Sequence, residues 1–196
     1  MIRVSTDMID MTSACAGTAD LVRAVGDDEL AGPTPCSEMS VAALVSHLGG
    51  LAAAFTAAAA KEFCELTDTP PEVSDQLDDG WRTSYPERLT AMAAAWNDPA
   101  AWEGMSRAGG VDFPGEVGGR IALTEVVVHG WDLARAVGRP YAVDDDVLRA
   151  VLPHVTEFAA GPPVEGLFAA VVPVNDDAPL LDRVIALTGR DPAWTR

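Results

Sequence analysis

From Met39 to Ala60 the chain runs without a charged side chain, "MSVAALVSHLGGLAAAFTAAAA", and this stretch constrains the fold more than any other. Its alanine content favours helix. The run is long enough to cross a bilayer, but Ser, His, Thr and two glycines make it too weakly apolar for a membrane span. The spacing predicts a helix from Val41 through Phe63, capped by Ser37 or Ser40 and destined for a protein core. Gly49 and Gly50 each cost about 1 kcal/mol relative to alanine at a helix centre. Their use would be to let another helix or a ligand approach closely.

With 48% hydrophobic content, 196 residues supply an ample core for one domain, or one domain with a small appendage. Met8, Met11, Cys15, Ala19 and Val22 form a stripe near helical period, predicting a first helix over Ser5 to about Gly26. "LTDTPPEVSDQLDDG" reads as a loop or the start of a short helix. Tyr85 to Trp96 gives a third helix with Leu89, Met92, Ala93 and Trp96 on one face. The glycine-rich connection that follows accommodates a short extended pair around Met105 and Val111. A fourth helix spans about Gly119 to Val137, stopped by Gly138 and Pro140. A fifth begins at an Asp144 cap, with Pro153 as a kink or early stop. An extended run, "LFAAVVPV", then leads into a last helix ending at Gly189. The expected fold is all-α: an antiparallel helical bundle over residues 1–140 with a small C-terminal appendage, a helical extension over residues 141–196 packed on it.

Thirty acidic against 13 basic residues give a net charge of −17, which excludes nucleic acid and anionic membrane surfaces as expected partners. The opening "MIRVSTDMID" has acids where a signal peptide has its apolar region, so the expected location is cytoplasmic. Cys15, Cys36 and Cys64 are too few and too widely spaced for a disulfide framework or a cysteine zinc site, and read as buried free thiols.

The chain has only three histidines, and two fall where chemistry is possible. In "TEVVVHGWDLARA" Glu125 and His129 are four residues apart, which on a helix places them roughly 40° apart around the axis and about 6 Å along it. Asp132 joins the same face. His47 lies among Leu44, Leu48 and Leu51 on the second helix, on an apolar face where an imidazole needs a partner. If the two helices are neighbours, His47, Glu125 and His129 meet inside the bundle as two nitrogens and one carboxylate oxygen. Such a set suits Zn²⁺, or Ni²⁺ or Fe²⁺, with positions left open. Plainer readings stand beside it. A histidine on an apolar face is commonly a hydrogen-bonded core residue, and E-x-x-x-H is commonly an intrahelical ion pair. Glu125 bridging two histidines without metal is a further alternative. Asp132 could equally pair with Arg135 or Arg139, His154 reads as surface or structural, and Trp96 and Trp131 read as core.

"TPCSEMSVAALVSHLGG", "FPGEVGGRIALTEVVVHGWDLARAVGRP" and "APLLDRVIALTGRDPAW" resemble the mycothiol-dependent maleylpyruvate isomerase-like metal-binding proteins of the DinB-like superfamily. Within that group they are closest to the actinomycete-type metal-binding subfamily. The resemblance implies a DinB-like four-helix bundle holding a divalent metal, most suitably zinc, and reactions that use the thiol mycothiol. The family's metal triad falls on His47, Glu125 and His129. Asp132 would orient an imidazole or accept a proton, or in a closed site serve as a fourth ligand, and Trp131 and Arg135 would help shape the cofactor pocket. The implied partners are a low-molecular-weight thiol and a small electrophile, and a homodimer is compatible with the pattern. A free thiol, with a pKa near about 8.5, is mostly protonated at neutral pH, and coordination to a metal deprotonates it. The expected reaction is therefore thiol transfer or thiol-assisted isomerisation. The short C-terminal part matches no full substrate-binding domain, which argues against maleylpyruvate as substrate. The competing reading is a non-catalytic metal-binding or dimeric interaction protein that keeps the site for structure or sensing.

Overall fold

In the computed structural model, which describes residues 8–162 and 168–196, the uncharged run forms α2 (Val41–Ala59). Ser40 caps it by accepting a hydrogen bond from the Ala43 amide at 3.1 Å. The helix ends at Ala60, before the predicted Phe63, because Lys61 takes a left-handed conformation (φ 60°) that turns the chain away. By length and composition alone α2 could cross a membrane, yet most of it is buried against the other helices.

α1 (Thr12–Ala24) begins later than expected, where the Asp10 carboxylate accepts from the Thr12 amide at 2.8 Å. Residues 8–11 are not helical, and Ser5 to Asp7 lie outside the described residues. A short α3 (Glu65–Asp68) precedes an acidic loop. α4 (Trp81–Trp96) starts one turn before the predicted Tyr85, since Pro86 lies inside the helix instead of in its first turn. β1 (Met105–Ala108) and β2 (Val111–Pro114) pair antiparallel through Gly109 and Gly110, whose positive φ angles of 59° and 77° suit a two-residue hairpin turn. The hairpin feeds directly into α5 (Gly115–Ala136), so this helix also begins a turn earlier than the sequence pattern indicated. α6 (Asp145–Ala159) continues through Pro153, which is exposed and does not stop it. The predicted extended run is no strand over its described residues 168–174. It lies along the end of α7 (Leu180–Leu187), with the Ala169 and Val172 amides donating to Thr188 and Ala186 carbonyls.

The fold is thus mostly helical, as the all-α reading anticipated, with one small two-stranded sheet where the short extended pair around Met105 and Val111 was expected. α4 and α5 each pack against both α1 and α2, around Leu44, Leu48, Leu89, Met92, Leu123 and Leu133, all fully buried. Each such leucine contributes about 1.5–3 kcal/mol by leaving water. Gly49 lets α4 approach: a Cβ there would lie 2.6 Å from the Tyr85 ring. α6 packs on α5, and α7 on α6.

Candidate metal centre

The contact between α2 and α5 brings His47 to the pair on α5. Glu125 Oε2 lies 3.2 Å from His129 Nε2 and 3.6 Å from His47 Nε2. The two imidazoles stand nearly perpendicular, 84° apart, with centroids separated by 4.9 Å. One donor atom from each of His47, Glu125 and His129 falls within 4.8 Å of the others. Burial alone would raise the Glu125 carboxyl, but the imidazoles of His129 and His47 outweigh it and hold the group well below the usual carboxylate range. Burial would likewise lower His129, yet its two acceptors, Asp132 and Glu125, push it up to about 9.

Asp132 does not join this convergence as a further donor. Its Oδ2 lies 3.0 Å from His129 Nδ1, on the side of the ring away from Glu125. Neither Arg135 nor Arg139 partners it, as the local spacing had allowed. Arg135 donates to the Pro192 carbonyl and lies over the Trp131 ring, and Arg139 binds Glu29 at 3.0 Å and the Ala24 carbonyl. The partner of Asp132 is Arg190, whose Nε and guanidinium nitrogen reach both carboxylate oxygens at 3.1–3.2 Å. Arg190 follows α7, 58 residues along the chain from Asp132. Sequence reasoning had no signal for it beyond an arginine after a helix-ending glycine. Trp131 and Arg135 are likewise away from the cavity described next: Trp131 packs with Val128, Ile185 and Trp194. Cys36 was read only as a free thiol, and the fold places it beside His129 and Asp132.

Above the triad opens a cavity of about 520 Å³. His47, Glu125, His129 and Arg190 contribute to its lining, and the rest is largely apolar, with Phe55, Phe113, Phe158 and Phe168 among its walls. The donor set fits a divalent ion. Two imidazole nitrogens, with the His129 proton given up to the ion, and a carboxylate oxygen lie within 4.8 Å of one another. His129 is oriented by the carboxylate on its second nitrogen. His47 Nδ1 is buried without a hydrogen-bond partner among the described residues, so Nε2 is the ring atom its surroundings direct to the site.

Fold and site therefore define a helical protein with a His/Glu/His cluster at the floor of an apolar cavity. The chain belongs to the family of the mycothiol maleylpyruvate isomerase N-terminal domain, whose profile matches residues 11–134. It is 30% identical over 178 residues to the uncharacterized protein Rv0738 of Mycobacterium tuberculosis strain ATCC 25618 / H37Rv, covering 88% of this chain and 91% of the relative. The same values hold for the uncharacterized protein MT0763 of strain CDC 1551 / Oshkosh. The fold is similar to the crystal structure of a mutant of the mycothiol-dependent maleylpyruvate isomerase. There the TM-score is 0.60 at 16% identity, over 92% of this chain and 86% of that one.

Proposed function

We propose that this protein binds a divalent metal, zinc first and nickel or iron as alternatives, through His47, Glu125 and His129, and works as a mycothiol-dependent enzyme. The carrying observation is the convergence of these three donors at the floor of a cavity roomy enough for a small molecule. A bound divalent metal would lower the pKa of a thiol placed against it and so supply a nucleophile at neutral pH. Around it, His129 would present Nε2 while Nδ1–H donates to Asp132. Asp132, clamped by Arg190, keeps that ring from turning. The apolar walls would exclude water from the reacting groups. The reaction class is thiol transfer to an electrophile, or thiol-assisted isomerisation.

The finer architecture belongs to the same reading: α1, α2, α4 and α5 as a DinB-like antiparallel bundle over residues 1–140, with 141–196 as an extension packed on it. A cytoplasmic location, a small electrophile and a thiol as the only partners, and an optional homodimer complete it. The alternative, a non-catalytic metal protein, would gain from a closed coordination shell. Asp132 faces away from the triad and so offers no fourth ligand to close it.

Metal analysis of the purified protein and of His47→Ala, paired with a mycothiol-transfer assay against a panel of electrophiles, tests the proposal. Metal at about one equivalent, lost in the variant, with metal-dependent turnover is the expected result. Undiminished metal in His47→Ala would overturn the ligand set. Full occupancy without turnover of any electrophile would favour the non-catalytic alternative.

A further inference from the structure

We infer that the electrophile handled at this site is an uncharged, largely apolar molecule, aromatic or of comparable bulk, and not a carboxylate-bearing one. The inference rests on the proposed function above and deepens it. Its basis is the cavity's own inventory. Leu51, Val73, Val111, Phe113, Phe158 and Phe168 are representative of the lining, and among the described lining residues only Glu125 and Arg190 carry a formal charge outside the two histidines. Arg190 is the single arginine or lysine among the described lining residues, and its guanidinium is engaged by Asp132 through contacts of 3.1–3.2 Å. Glu125 places a negative charge at the floor, within a chain of net charge −17.

A carboxylate entering this space would leave water for apolar walls and meet no uncommitted arginine or lysine among the described lining residues. It would also approach Glu125, and across low-dielectric walls that repulsion is poorly screened. With a divalent ion and one thiolate added, Glu125 and the thiolate together cancel the ion, so the electrophile faces a centre with no surplus positive charge. At about 520 Å³ the space lies in the range of small-molecule sites. Two rim positions extend the apolar surface outward: Val73 and Val111 line the cavity yet are exposed to solvent. Exposed valines at a cavity mouth give an apolar ligand continuous contact on entry.

The test uses two fluorescent probes with one ring skeleton, neutral phenylnaphthylamine and its anionic analogue anilinonaphthalene sulfonate. Each is titrated into the full chain as purified and after chelation, with metal content measured on the same samples. The neutral probe is expected to bind at least on the order of tenfold more tightly than the sulfonate after chelation, and again in the metal-loaded protein once saturating mycothiol is added to supply the thiolate. Ala54→Phe, which fills space along α2, is expected to weaken the neutral probe at least fivefold. Val111→Asp, at an exposed position where folding is not at stake, is expected to weaken it at least twofold while leaving circular dichroism unchanged. Sulfonate binding as tight as the neutral probe, or neutral binding indifferent to Val111→Asp, would overturn the inference. Neutral preference in a protein that holds no metal as purified and takes up no added Zn²⁺ would instead sink the metal reading and leave the cavity assignment standing. Metal at full occupancy with sulfonate preferred would do the reverse.

Discussion

Asp132→Asn isolates the buried charge on which the site's geometry depends. Asp132 is fully buried, and its carboxylate sits between His129 Nδ1 at 3.0 Å and Arg190 at 3.1–3.2 Å, itself only 8% exposed. The amide has the carboxylate's shape and can still accept from His129, but it leaves the Arg190 guanidinium buried beside a neutral group. Removing one member of a buried pair costs about 3–5 kcal/mol, chiefly because the other charge is left uncompensated. The residual dipole of the amide argues for the lower end, about 3 kcal/mol. In a chain of this length that corresponds to a fall in Tm of roughly 6–12 °C. Thermal and urea unfolding followed by circular dichroism, with chelator present so that metal does not contribute, would read it. Metal affinity measured separately should fall about 10–100-fold, as it does when the carboxylate behind a ligating histidine is lost. The decisive comparison is a double-mutant cycle. Asp132→Leu and Arg190→Met should each destabilise strongly, whereas the double variant, with no orphaned charge, should recover at least about 2 kcal/mol relative to their sum. Effects that simply add within about 0.5 kcal/mol would show that the two groups are not coupled and would refute the reasoning.

Gly49→Ala should destabilise the protein by about 1–2 kcal/mol in urea unfolding. Its Cβ would come within 2.6 Å of the Tyr85 ring, and the overpacking exceeds the roughly 1 kcal/mol of helix propensity gained. An unchanged or raised midpoint would show that α4 can retreat freely. Cys15 should resist alkylation in the native protein, because burial, aided by Asp10, pushes its thiol up to about 12. At about pH 8 its thiolate fraction is then on the order of one part in ten thousand. Mass spectrometry after iodoacetamide treatment should find Cys15 labelled only once the chain is unfolded, and prompt native labelling would contradict the burial.

The sequence patterns that survived intact in the structure are those fixed by local chemistry. Ser40 caps α2 because its hydroxyl oxygen reaches the amide three residues on, and Gly109 and Gly110 turn the hairpin because positive φ is open to them. His47, Glu125 and His129 were legible because two lie on one helical face and the third interrupts an apolar one. Element starts were less legible where proline or glycine has two meanings. Pro86 could open a helix or be carried within it, and the choice depends on Trp81 and Tyr85 being buried, which is a tertiary fact. Pro153 is tolerated because its side of α6 faces solvent. Arg135 and Arg139 were the nearer partners for Asp132 on the chain, and both are drawn elsewhere by carbonyls of the folded C-terminal segment and the end of α1 and by the Glu29 carboxylate in the turn after α1.

The position of Arg190 bears on where this protein's working unit ends. The family match stops at residue 134, just past Asp132, and includes all three candidate donors. Taken alone, that segment would bury Asp132 next to His129 and not far from Glu125: two carboxylates in a region that water reaches poorly. The compensating cation comes from beyond α7, and the same C-terminal segment sends Phe158 and Phe168 to the cavity wall. The segment after α5 therefore does two things that the family-matched residues do not. It neutralises the carboxylate that aims His129, and it encloses the space above the triad. A donor triad without that clamp would keep its ligands but lose the orientation of one of them, which is why the C-terminal segment has to be counted as part of the site.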